Sequence, residues 1–105
     1  MRPADVSAKL EEVHLLDVRE PDEWEAGHIP GSQHIPMREL RARIDELPRD
    51  RKIVAVCRHG NRSEAVTRGL QGLGFDCENL EGGVTDWRRA GLPLEADDGG
   101  PGTVI

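Results

Sequence analysis

The segment Lys52-Ile53-Val54-Ala55-Val56 carries a continuous apolar run behind its leading lysine, closed on one side by Pro48-Arg49-Asp50-Arg51 and on the other by a glycine-containing loop. The run is short enough for a strand, and its lack of alternation places it in the interior with both faces covered. Val13-His14-Leu15-Leu16-Asp17-Val18 has similar character and reads as a second buried strand. Strands of this kind need helices above and below them, and helical patterns fill the gaps. Pro21 to Ala26 suits a short helix opened by proline, and Gly27 to Gly31 a loop leading to a short strand, Ser32 to Ile35. Pro36 to Leu47 sets Leu40, Ile44 and Leu47 on one face of an amphipathic helix that ends before Pro48. Ser63 to Leu73 repeats the pattern, packing through Ala65, Val66, Leu70 and Leu73, with Gly72 and Gly74 as its stop. Phe75 to Leu80 alternates as a half-buried strand, and Val84 to Ala90 forms the last helix. Met1 to Glu12 is mostly helical, too brief for more than a vestigial leading strand. The predicted class is α/β: three layers, with a central, mainly parallel sheet and helices on both faces.

A chain of 105 residues fits one domain with a single core. We assign it to residues 1–94 and expect 95–105, acidic and glycine-rich, to be a flexible tail. With 14 basic and 20 acidic side chains the net charge is −6, which argues against nucleic acid as the main partner. There are two cysteines, Cys57 and Cys77, with no CxxC and no Cys/His grid, so neither a structural disulfide, a metal nor a cofactor is expected. The sequence shows neither a signal-peptide pattern nor an apolar run long enough to span a membrane, so a cytoplasmic location is the default expectation, and a monomer is taken as the default state.

Against the acidic background, Cys57-Arg58-His59-Gly60-Asn61-Arg62-Ser63 gathers a thiol, two arginines and a titratable histidine at the turn between a strand and a helix. A helix N-terminus presents unpaired N–H groups and a partial positive charge, and a thiol placed there ionises more readily. Gly60 lets the backbone turn its N–H groups inward, Arg58 and Arg62 offer forked donors for oxyanions, and Ser63 suits the helix start. The plain alternative is that Cys57 is the last core residue of its strand. Four residues separate Cys57 from Arg62, one fewer than in cysteine phosphatases. The tighter ring suits a single sulfur atom carried on the cysteine better than a tetrahedral phosphate.

Three blocks extend this reading. Leu15-Leu16-Asp17-Val18-Arg19-Glu20-Pro21-Asp22-Glu23-Trp24, followed by Gly27-His28-Ile29-Pro30-Gly31-Ser32, is similar to the first signature of the rhodanese family. The Cys57 to Ser63 loop resembles its active loop, and Asn79-Leu80-Glu81-Gly82-Gly83-Val84-Thr85-Asp86-Trp87, with Gly91-Leu92-Pro93, resembles its C-terminal signature. The resemblance runs from about Val13 to Pro93 and is to the single-domain sulfurtransferase type. It implies transfer of sulfane sulfur from a small anionic donor such as thiosulfate to a thiophilic acceptor, a thiol or dithiol protein among them, through a Cys57 persulfide. Alternatives are a sulfur carrier that does not use thiosulfate, a regulatory binding module on the same fold, and a cysteine phosphatase or arsenate reductase.

Other candidates carry less chemistry. Asp17 and Arg19, at a strand end, suit a scaffold bracing the active loop. His28 and His34 have no metal-ligand spacing, and Trp24 and Trp87 read as core aromatics, with Trp87 near the site rim if the resemblance holds. His59 suits orienting a donor and facing solvent equally well. Cys77 reads as a packed core thiol; a resolving role would require it to reach Cys57 at disulfide distance.

Overall fold

A computed structural model describes residues 1–105. Its strands are β1 (Val13–Asp17), β2 (Gln33–His34), β3 (Lys52–Val56) and β4 (Cys77–Asn79), all parallel, in the order β2-β1-β3-β4. Helices α1 (Pro3–Ser7), α2 (Pro21–Ala26), α3 (Asn61–Gly72) and α4 (Gly83–Arg89) connect and cover them. No strand precedes α1.

The two-residue period of a strand sends alternate side chains to opposite faces. Leu16, Ile53 and Ala55 join Val66 and Leu70 of α3, whereas Val13, Leu15, Val54 and Val56 join Val6 of α1 and Val84 and Trp87 of α4. Leu16 and the run from Ile53 to Val56 are wholly buried. Burying each of the larger side chains stabilises the fold by about 1.5–3 kcal/mol. Asp17 of β1 is level with Val56 of β3, so the two central strands end together. From β1 the chain passes outward to β2, and from β3 it passes the other way to β4, so a crevice opens at the carboxyl ends of β1 and β3.

Three segments differ from the sequence expectation. Pro36 to Leu47 is two 3₁₀ turns, Met37–Glu39 and Arg41–Glu46, broken at Arg43 (φ −115°, ψ 19°), rather than one α-helix. Its hydrogen bonds run three residues back, Leu40 N–H to Met37 O and Leu47 N–H to Ile44 O, and the apolar spacing of three, four and three residues satisfies either geometry. Helix α3 starts at Asn61, because Gly60 takes the left-handed conformation (φ 98°) at the N-cap; Ala65 and Leu73, expected in the core, face outward. Together with Met37 and Ile44 they line an open apolar groove.

Residues 95–105, expected as a flexible tail, fold back as a narrow hairpin, with Glu95 bridging both His28 and Pro101. Asp97 N–H donates to Glu25 O, and Thr103 N–H donates to Ala26 O, each at 2.9 Å. These bonds satisfy carbonyls that the end of α2 leaves open. Val104 packs against the α1–α4 cluster. The composition concealed this because the contact depends on two glycines: a Cβ on Gly27 would lie 2.3 Å from Thr103 O, and one on Gly102 would lie 2.9 Å from Gly27 Cα. Gly27→Ala should therefore release the hairpin, with a loss of about 1–3 kcal/mol in urea unfolding and new protease cleavage within 95–105. Unchanged stability and protection would show that the hairpin is not held there.

Candidate active site

Cys57 follows β3 directly and is 1% exposed. Its Sγ accepts from Gly60 N–H at 3.0 Å and Ser63 N–H at 3.4 Å, with Ser63 Oγ at 3.2 Å. The sulfur thus sits at the floor of a ring formed by the loop and the first turn of α3. Arg58 and His59 lie exposed on the outer side.

Two other elements hold the ring closed. The N-terminus of α4 approaches the loop backbone: Val84 N–H donates to Cys57 O at 2.9 Å and Thr85 N–H to Arg58 O at 3.1 Å. Gly83 (φ 60°) permits this, since a Cβ there would fall 2.3 Å from Cys57 O. At the end of β4, Asn79 Nδ2 donates to Gly60 O at 3.0 Å, and Ser63 Oγ donates to Asn79 Oδ1.

Arg62 is committed elsewhere. Its Nη1 and Nη2 each lie 2.8 Å from a different oxygen of Glu23, a forked pair between α3 and α2. Those hydrogen bonds hold the Glu23 carboxyl below its ordinary range and push Arg62 higher, with the Glu23 and Asp17 charges adding to the rise. The expectation that Arg62 is free to grip an anion therefore does not match its surroundings. Glu23 and Asn79 lie within the first and last signatures, where the sequence assigns them no role; the Glu23–Arg62 partnership spans 39 positions, and no local pattern announces it.

Asp17 and Arg19 are fully buried and face each other in the expected pair. Arg19 Nε and Nη2 donate to the Asp17 carboxylate at 2.8–3.1 Å, and Nη2 also donates to Gly27 O at 2.7 Å. Arg19 O accepts from His34 Nε2 at 2.8 Å. Removing one member would leave an unpaired buried charge, costing about 3–5 kcal/mol. Trp24 stacks on the His28 and His34 rings, at 3.7 and 4.7 Å, so these histidines act as packing partners. Trp87 is buried, with its Nε1–H on Pro93 O. Cys77 is buried as well, and desolvation pushes its thiol pKa up.

Residues 2–90 match the family model of the rhodanese-like domain. A sulfurtransferase of Allochromatium vinosum is 40% identical over 93 residues, covering 88% of this chain and 87% of that protein. An HTH-type transcriptional regulator of Mycobacterium tuberculosis is 45% identical over 92 residues, and there the match spans 86% of this chain but only 40% of the regulator. The crystal structure of a rhodanese-related protein from Thermoplasma volcanium superposes with a TM-score of 0.87 at 39% identity, over 90% of this chain and 94% of that one. The chain belongs to the rhodanese family.

Because the folded pKa of Glu23 is depressed, the Glu23–Arg62 pair contributes stability above the ordinary carboxylate pKa, about 4.3. That contribution is lost as pH falls through the folded value. Arg62 is 37% exposed, so solvent screening limits the effect of Glu23→Gln to about 0.5–1 kcal/mol near neutral pH. The difference from the wild type in urea unfolding should close under acid conditions. A gap that does not change with pH would mean that the carboxylate's charge plays no part.

Proposed function

We propose that the chain is a sulfurtransferase that carries sulfane sulfur on Cys57, loaded from a small anionic donor such as thiosulfate and delivered to a thiol or dithiol acceptor. The observation that supports this best is the seating of Sγ, which accepts from two amides and has a hydroxyl oxygen 3.2 Å away, at the one atom on which negative charge would gather. In the first half-reaction the Cys57 thiolate attacks the outer sulfur of thiosulfate, the S–S bond breaks, and sulfite leaves with the bonding pair. In the second, an acceptor thiolate attacks the outer sulfur of the persulfide, and the Cys57 thiolate is the leaving group.

With Arg62 occupied by Glu23, contact with the donor's sulfonate falls to Arg58, which is exposed and has no side-chain partner. The remaining loop residues, His59, Gly60, Asn61 and Ser63, shape the ring; Asp17 and Arg19 fix the end of the neighbouring strand β1 through Gly27 and His34. A phosphatase reading is disfavoured by the short loop and by the occupied guanidinium. Embedding of the same domain in the longer regulator supports a second reading, a relay or sensing module within a larger protein.

Treatment with thiosulfate should add the mass of one sulfur atom to the wild type and none to Cys57→Ser. Sulfur loading that survives Cys57→Ser would refute the proposal. For Arg58→Ala, the KM for thiosulfate should rise about tenfold with kcat little changed, the pattern of lost uniform binding. Unaltered thiosulfate kinetics would remove Arg58 from donor binding.

A further inference from the structure

The Ser63 hydroxyl has one hydrogen and two neighbours that can receive it, Cys57 Sγ and Asn79 Oδ1. The orientation of the Asn79 amide is decided by its other contact. Gly60 O can only accept, so the amide must present Nδ2 to it, which turns Oδ1 towards Ser63. With Cys57 as a thiol, every group is satisfied: S–H donates to Ser63 Oγ, and O–H donates to Asn79 Oδ1. When the thiol gives its proton to water, the sulfur ceases to donate and can accept a further hydrogen bond beyond those from the two amides. The Ser63 O–H must then turn to Sγ and abandon Oδ1, or stay on Oδ1 and leave sulfur with the Gly60 and Ser63 amides alone. Ionisation breaks a hydrogen bond along either route.

We propose that Asn79 is a positioning residue that draws the hydroxyl proton of Ser63 away from Cys57, so that this donor reaches sulfur only as negative charge develops there. Asn79 suits the role because its backbone is fixed in β4, opposite Ala55 of β3, independently of the loop it grips. The proposal rests on Cys57 being the sulfur-carrying thiol. The charged and titratable groups around that thiol are Arg58 and His59 in the loop, Arg62 on α3 with Glu23 on α2, Asp17 and Arg19 at the end of β1, and Asp86 on α4 beside Gly82. All are left in place when Asn79 is changed.

A bracing role and a proton-holding role predict opposite signs. If Asn79 only steadies Gly60, its removal loosens the 3.0 Å amide bond to Sγ and makes the thiolate harder to form. If it competes for the hydroxyl, removal frees a donor for sulfur and makes the thiolate easier to form. The test is the pH profile of Cys57 alkylation by iodoacetamide, with the label located by peptide mass. Asn79→Leu should alkylate about three- to fivefold faster than wild type on the acid side of the profile, the value of one released hydrogen bond. Asn79→Ala, which demands no new space, should do the same and keeps the question open to test if leucine does not fit. In a Ser63→Ala background neither substitution should accelerate labelling. Slower labelling in both variants, or acceleration that persists without the hydroxyl, would overturn the proposal. Sulfur loading measured in parallel separates this from the proposed function: a shifted profile without a persulfide defeats the sulfurtransferase reading alone, and a persulfide without a shift defeats the role of Asn79 alone.

Discussion

The fold depends on β1 and β3 being covered on both faces. From Ile53 to Val56 there is no polar side chain, and the backbone groups are spent on the neighbouring strands. A polar or ionisable group placed within such a strand would be desolvated at a cost of roughly several kcal/mol without a partner. Chemistry is therefore displaced to the first positions where the strands stop, and the register makes them stop at the same level. Cys57 follows one strand immediately, and Asp17 closes the other. The crevice exists because burial ends there.

Arg19 is the exception that this arrangement tolerates. A wholly buried guanidinium is a poor source of stability, since desolvation consumes most of what the ion pair returns. Its bonds instead fix positions, tying the end of β1 to Gly27 after α2 and, through its carbonyl, to His34 of β2. Its Nη1 is buried without a protein acceptor, which leaves part of its donor capacity unspent. Glu23 and Arg62 then carry the connection from α2 to the active loop, closer to solvent.

Much of this was legible in the residues. The apolar runs located both central strands, proline marked the start of α2 at Pro21, and the Cys57 to Ser63 loop announced a thiol held by donors. Legibility failed where the outcome depended on distant partners. The spacing of Met37, Leu40, Ile44 and Leu47 suits tight and ordinary helices alike, so the 3₁₀ turns were invisible. Leu73 looked like core but is 58% exposed, at the C-cap of α3 rather than on its buried face. Nothing near Arg62 revealed that a glutamate from another helix would neutralise it, and the polar composition after Leu94 gave no sign that two glycines would let backbone lie on backbone.

That last contact alters how the end of the chain relates to the chemistry. The amides of Asp97 and Thr103 grip the final carbonyls of α2, and α2 carries the carboxylate that holds Arg62. Tension on the hairpin would thus travel through a single short helix to a guanidinium beside the sulfur. A cargo tethered there would work as a lever on the loop rather than as a passive leash.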